Sequence, residues 1–172
     1  MPAGALIGAR GLAVMSLVLE RVAARRVALF VHPGPAPGDR VPEASLSEPL
    51  WWRALTDYVA QMHAAWLTFA TIGRRDHPRL TVLFAMLAGG APLHSERLAA
   101  RGGPHVELRD KLVFYDTSSY GPAAIRAMIR TVGADQLVYG SDRPVVEPVA
   151  TGEEARLQTS GLRLMMAIAR AT

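Results

Sequence analysis

The residues of this sequence that are best placed to do chemistry are Asp142 and His32. Asp142 stands in the motif Tyr-Gly-Ser-Asp-Arg-Pro at 139–144, directly after the apolar run 136–139, which predicts a buried strand. Gly140 permits a sharp turn and Pro144 prevents the strand from continuing. A carboxylate just past a strand can bind a divalent metal, accept a proton from water or cap a helix. The residue types alone leave these three roles open.

His32 follows a second apolar run at 27–31 and is itself followed by Pro33 and Gly34, a pair that breaks regular structure. A neutral imidazole at the end of a strand is a good metal ligand. It is equally able to form a hydrogen bond with a loop carbonyl. Both interpretations remain open on the residues alone.

The hydrophobic pattern predicts an α/β domain in which strands and helices alternate. Strands are expected at 27–31, 80–85, 111–115 and 136–139, and helices at about 12–25, 47–72 (with Ser47 as N-cap), 94–101, 122–132 and 153–172. A loop rich in Pro and Gly occupies 33–49. In the second helix, apolar and aromatic residues recur at helical spacing and are expected in the core: Trp51, Leu55, Tyr58, Val59, Met62, Trp66 and Phe69. Strands that alternate with helices predict a parallel sheet with right-handed crossovers.

Four segments carry a likeness to a known family: 30–34 (Phe-Val-His-Pro-Gly), 83–90, 114–118 and 139–144. Together they resemble the amidohydrolase-related family (amidohydrolase 2), the metal-dependent hydrolases and decarboxylases similar to aminocarboxymuconate-semialdehyde decarboxylase. They look like the last four strands of that family's (β/α)8 barrel, in order. The likeness runs from about Val27 to Pro148 and implies one domain over 1–172, a partial TIM-type barrel. It also implies a hydrolase or decarboxylase that acts on a small amide, lactone or carboxylated substrate.

The resemblance assigns roles to individual residues. His32 would bind a Zn- or Mn-type ion, and Asp142 would be both metal ligand and general base. Arg143 would hold a substrate carboxylate by a two-pronged contact. Asp116 and Ser118, after the third strand, would line the substrate pocket.

The sequence also departs from the family pattern in two places. The family has a His ahead of a Gly pair after the second of these strands, where this sequence has Met-Leu-Ala-Gly-Gly at 86–90. His94 follows soon after and is either a replacement ligand or a surface residue in the first turn of a helix. The His-x-His pair of the family's first strand is absent as well, since the five His are at 32, 63, 77, 94 and 105. A second hypothesis is therefore a non-catalytic relative or fragment that acts as a binding or assembly module.

The length also bears on assembly. The chain has 172 residues, whereas a complete (β/α)8 barrel needs at least ~200. Half a barrel leaves strand edges and an apolar sheet face without partners. We therefore expect either a homodimer or a second polypeptide segment that supplies the N-terminal half-barrel.

Composition narrows the remaining possibilities. The net charge of +4 comes from 19 Lys and Arg against 15 Asp and Glu, and Lys111 is the only lysine. The basic residues are dispersed without interleaved aromatic residues, which argues against a nucleic-acid partner. There is no cysteine, so any metal would be bound through His and carboxylate. The apolar run 5–19 is too short to span a membrane, and we expect a cytoplasmic bacterial protein without a membrane partner.

Overall fold

The computed structural model describes residues 1–39 and 48–147. The predicted closing helix at 153–172 and the predicted N-cap Ser47 lie outside these residues. Four strands form one sheet in the order β1-β2-β3-β4, and every neighbouring pair is parallel. The strands are β1 (Leu29–Val31), β2 (Val82–Phe84), β3 (Val113–Asp116) and β4 (Leu137–Val138). The predicted parallel α/β sheet is confirmed.

Helices connect and cover the strands. They are α1 (Gly8–Ala24), α2 (Leu50–Leu55), α3 (Asp57–Thr68), α4 (Arg74–Asp76), α5 (Ser95–Ala100) and α6 (Pro122–Val132). A π-helical turn at Phe69–Gly73 joins α3 to α4, and short 3₁₀ segments lie at Ala3–Leu6 and Ala134–Gln136. Pro122 opens α6 at a position where its missing N–H has no partner to lose, as the sequence predicted.

The predicted helix over 47–72 is divided, and only its second part is in the core. Thr56, with φ −112° and ψ −78°, interrupts it between α2 and α3. Met62, Trp66 and Phe69 are buried, but Trp51 is 57% and Leu55 67% exposed. The prediction of a continuous buried stripe was therefore wrong for α2, because the break at Thr56 ends the helical periodicity on which it rested. It was also wrong for Tyr58 in the first turn of α3, which is 40% exposed.

One face of the sheet packs against the helices. Its side chains alternate along the strands and are all buried: Leu29, Val31, Val82, Phe84, Val113, Tyr115 and Leu137. Phe84 stacks on Tyr115, and Phe69 meets the Phe84 ring edge-on at 6.0 Å between centroids. The Trp66 indole N–H donates a 2.9 Å hydrogen bond to the Tyr115 hydroxyl. This aromatic cluster fixes α3 against β2 and β3.

Tyr115→Phe is expected to lower the free energy of unfolding by about 1–3 kcal/mol, because the buried indole N–H of Trp66 would lose its acceptor. Urea denaturation at neutral pH measures this difference. Tyr58→Phe is the matched control: Tyr58 is 40% exposed, and a change within about 0.5 kcal/mol is expected there. Equal stability of wild type and Tyr115→Phe would contradict the assigned hydrogen bond.

The opposite face of the sheet is less covered. It presents Phe30, Leu83, Phe114 and Val138; Phe30 is 43% exposed and Phe114 is buried. Because side chains alternate, Asp116 follows Phe114 onto this face while Tyr115 points to the other. Asp116, the polar residue that ends β3, therefore lies on the more open face of the sheet.

The free edge of β1 is not bare. Pro2 bridges His32 in parallel, the Met1 amino group donates to the Phe30 carbonyl at 2.7 Å, and the Ala3 N–H donates to the His32 carbonyl at 2.8 Å. The first three residues thus occupy the position of a short additional strand. Sequence patterning did not predict this pairing, because three residues are too few to show a period.

A left-handed turn follows β2. Met86, Leu87, Ala88, Gly89 and Gly90 all have positive φ, between 49° and 75°. Three of them are not glycine, and each such residue costs roughly 1–2 kcal/mol in this conformation. The turn occupies 86–90, the segment in which the family resemblance implies a His. Among residues 1–39 and 48–147, no helix combines the length and apolar character needed to cross a membrane.

Candidate active site

The carboxyl ends of β3 and β4 bring together a group of polar residues. We call Asp116, Ser118, Ser119 and Asp142, with Gly140 between them, the carboxylate cluster. Asp116 is the last residue of β3, and Gly140 and Asp142 follow β4, its neighbour in the sheet. Two of the predicted pocket residues, Asp116 and Ser118, and the predicted base, Asp142, therefore share one end of the sheet.

Asp116 is held by backbone donors. Its Oδ1 accepts hydrogen bonds from the N–H groups of Met86 and Ser118, each at 3.0 Å. The residue is 7% exposed. The left-handed turn after β2 thus has a visible role at this site, since it directs the Met86 N–H toward the carboxylate.

Gly140 lets the two loops approach closely. A Cβ built there would lie 2.3 Å from Ser118 Oγ, 3.0 Å from Asp116 Cγ and 3.0 Å from the Ser118 nitrogen. The Gly140 N–H also donates to Thr117 Oγ1 at 3.2 Å. A side chain at 140 would separate the ends of β3 and β4, so glycine is required by contact here.

Asp142 accepts a hydrogen bond from the Ser119 hydroxyl through Oδ2. Both residues have positive φ, 55° for Asp142 and 64° for Ser119, a conformation that is uncommon outside glycine and concentrates at functional sites. Asp142 is only partly buried. The cluster therefore contains one buried and one accessible carboxylate.

Their environments separate the two carboxylates chemically. Burial raises the pKa of Asp116, hydrogen bonds from Ser118 and the Met86 N–H oppose the rise, and the negative charge of Asp142 adds to it. A buried acid with a raised pKa beside an accessible carboxylate is an arrangement that suits general acid and base roles. Asp116 is the candidate proton donor, and Asp142 is the group that contacts solvent.

His32 lies at the same end of the sheet, immediately after β1. Its Nδ1 is 2.9 Å from the Pro33 carbonyl oxygen. Because a carbonyl only accepts, Nδ1 is the donor in this contact, and in a neutral imidazole Nε2 is then the acceptor nitrogen. Its ring contacts Phe30 at 6.0 Å between centroids, on the more open face of the sheet. A neutral His32 can therefore keep its hydrogen bond to the Pro33 carbonyl while Nε2 binds another group.

The predicted substrate-binding Arg143 is on the surface beyond the cluster. Its Nη2 lies 2.7 Å from Glu147 Oε2, and the two side chains are 64% and 83% exposed. Such exposed pairs contribute ~0–1 kcal/mol. Because this ion pair is weak, another carboxylate could replace Glu147 as the partner of Arg143.

His94 does not join this group. Its ring lies 5.1 Å from that of His63, at the end of the segment Met86–His94 and against α3. The role of His94 as a metal ligand therefore stays a prediction. The neighbouring imidazole is that of His63.

The described residues do not form a metal site by themselves. His32 and Asp142 are donors of the right chemistry for a divalent ion, but β1 and β4 are the two outer strands of the sheet. Within residues 1–39 and 48–147 there is no group of three or more His, Asp or Glu that could hold a metal ion.

Comparison with known protein families identifies the family of this chain. The family model for amidohydrolases matches residues 8–159. The chain belongs to the amidohydrolase family. No protein of curated function matches the sequence.

Solved structures of similar fold include several decarboxylases. The amidohydrolase chain is similar to 5-carboxyvanillate decarboxylase from Sphingomonas paucimobilis, with 18% identity, a TM-score of 0.63 and coverage of 88% of this chain and 52% of that one. It is also similar to 2,6-dihydroxybenzoate decarboxylase from Rhizobium, with 16% identity, a TM-score of 0.61 and coverage of 86% of this chain and 53% of that one. Dihydroxybenzoic acid decarboxylase from Polaromonas, solved with bound manganese and 2-nitroresorcinol, shows 14% identity, a TM-score of 0.63 and coverage of 86% of this chain and 52% of its own. The chain spans about half the length of these structures, which confirms the predicted partial barrel.

Two contacts of the carboxylate cluster were missed by sequence reasoning: the Ser119 hydroxyl that donates to Asp142 and the Met86 N–H that donates to Asp116. The sequence singled out Met86 only as part of the departure from the family pattern at 86–90. A Ser beside two other hydroxyl residues gives no signal of which one meets a distant Asp. A backbone N–H gives none at all.

Proposed function

We propose that this chain carries the carboxylate half of the active site of a hydrolase or decarboxylase that acts on a small amide, lactone or carboxylated substrate. The observation that carries the proposal is the carboxylate cluster, in which Asp116 is buried beside the accessible Asp142 at the carboxyl ends of β3 and β4. Membership of the amidohydrolase family and the decarboxylases among the similar structures support it.

In this proposal each residue has a task that its geometry permits. Asp116 would donate a proton to the substrate, Asp142 is the partly buried carboxylate that is open to solvent, and Ser119 orients Asp142 through its hydroxyl. Arg143 binds a substrate carboxylate in place of Glu147. Ser118 and Gly140 keep the two loops in contact.

Divalent-metal binding is proposed for the completed assembly and not for the described residues alone. His32 and Asp142 would contribute to the site, and further ligands would come from another polypeptide segment or a second copy of the chain. The more open sheet face, with Phe30 43% exposed, is the surface that such a segment would cover.

The alternative is a non-catalytic binding or assembly module. The observation that favours it is the left-handed turn Met86–Gly90, which presents backbone and apolar groups where the family's His would stand. In that case the cluster would bind a ligand without turnover.

Metal content and molar mass, measured together, distinguish the two. We expect near-stoichiometric Zn or Mn in a species heavier than the monomer, and loss of the metal in both His32→Ala and Asp142→Asn. His105→Ala and Asp39→Asn, at exposed positions, are matched controls and should keep the metal. Light scattering with elemental mass spectrometry, on protein purified without chelators, gives both quantities.

The opposite results have defined meanings. An assembled species without metal above the level of the two variants would support the binding module. A monomer with stoichiometric metal would contradict the need for a completing segment. Turnover of carboxylated aromatic and amide substrates would then be screened only in the metal-containing species.

A further inference from the structure

A second cleft lies between α3 and α5, away from the carboxylate cluster. It has a volume of about 350 Å³, within the range of small-molecule pockets. Its wall is apolar at Trp66, Leu67, Ala91 and Leu98, and its rim carries His63, His94, Ser95, Arg97 and Arg101. The cleft thus combines an apolar body with a rim of basic side chains.

The sheet separates this cleft from the carboxylate cluster. Trp66 in the cleft wall donates its indole N–H to Tyr115. Tyr115 and Asp116 are consecutive residues of β3, and consecutive side chains of a strand point to opposite faces. The two sites are therefore on opposite sides of β3.

The basic rim carries charge that the described residues do not neutralise. Arg97 and Arg101 are four residues apart along the chain, at the end of α5 and just beyond it, a spacing at which like charges repel. Both are exposed, and neither forms an ion pair with an acid within residues 1–39 and 48–147. The rings of His63 and His94 lie 5.1 Å apart between centroids, and no carboxylate of the described part of the chain lines the cleft.

We propose that this cleft binds an organic carboxylate with a compact apolar body. The ring or chain of the ligand would pack on Trp66 and Leu98, and its carboxylate would accept hydrogen bonds from the guanidinium groups of Arg97 and Arg101. Guanidinium forks match carboxylates in two-pronged geometry. The positive charges of Arg97 and Arg101 oppose a metal cation at this rim, so the cleft favours an anion over the metal-ligand role predicted for His94.

Isothermal titration calorimetry with benzoate tests the proposal on the full chain. Benzoate should bind, and benzamide, which has the same body without the charge, should bind at least about tenfold more weakly. The double variant Arg97→Gln/Arg101→Gln should raise the benzoate Kd by about tenfold or more. Arg126→Gln/Arg130→Gln removes two exposed arginines at the same spacing on α6 and should leave the Kd unchanged.

No benzoate binding by the folded wild type would overturn the proposal, as would equal effects of the two double arginine variants. Tighter binding of inorganic phosphate than of benzoate would overturn the assigned ligand class.

Discussion

Asp116→Ala is expected to lower the free energy of unfolding by about 2–4 kcal/mol, because it leaves two backbone donors without an acceptor. The N–H groups of Met86 and Ser118 both donate to Asp116 Oδ1. Neither group can turn to water without moving the end of β3 or the left-handed turn. Urea denaturation near neutral pH measures the loss.

Asp116→Asn is the matched control, because an amide oxygen at Oδ1 can accept the same two hydrogen bonds without a charge. We expect its stability to be within about 1 kcal/mol of wild type near neutral pH. A loss equal to that of Asp116→Ala would show that the negative charge, and not the acceptor, holds the two loops.

Wild type and Asp116→Asn, compared over a range of pH, also test the raised pKa of Asp116. The folded state binds this proton more tightly than the unfolded state, in which the pKa is about 3.9. The stabilisation from the proton is therefore present at acid pH and is lost as the pH rises through the folded pKa. Asp116→Asn should gain stability relative to wild type over that rise. A constant difference from about pH 4 to about pH 8 would contradict the shift.

Gly89→Ala is expected to destabilise the fold by about 2–4 kcal/mol, for two separate reasons. The residue has a φ of 62°, which a side chain disfavours, and a Cβ there would lie 2.6 Å from the Val59 carbonyl oxygen. That oxygen belongs to the backbone of α3, so relief requires α3 or the turn to move. Thermal or urea denaturation gives the magnitude.

Gly90→Ala separates the two causes. Gly90 has a φ of 75° in the same turn, but a Cβ there meets only Leu93 Cδ1 at 3.9 Å. Its substitution should therefore cost only the conformational penalty of about 1–2 kcal/mol. Equal losses for the two glycines would mean that the contact with α3 contributes nothing.

The sequence predicted those features that depend on local pattern. The four strands follow from short apolar runs, and their ends at His32, Asp116 and Asp142 follow from the polar residue or breaker that comes next. Parallel pairing then placed these ends at one side of the sheet. The prediction that Asp116 and Ser118 line a substrate pocket came from the family resemblance alone.

Features that depend on tertiary contact were not predictable from pattern. The approach of Gly140 to Ser118 and the hydrogen bond from Ser119 to Asp142 join loops that are more than twenty residues apart. The left-handed turn contains Met86 and Leu87, whose intrinsic preferences oppose that conformation. The basic cleft joins His63 on α3 to residues around α5, and no spacing in the sequence relates them.

The pairing of the first three residues with β1 constrains how two copies could close a ring. Each copy would contribute four strands and the short segment Met1–Ala3. If two copies joined edge to edge, each would supply five strands to the ring, counting Met1–Ala3 as one. The ring would then have about ten strands, whereas a (β/α)8 barrel has eight. A ring of ten is wider, because barrel diameter grows with strand number. Symmetric closure at the bore of an eight-stranded barrel therefore requires the segment Met1–Ala3 to leave β1 first.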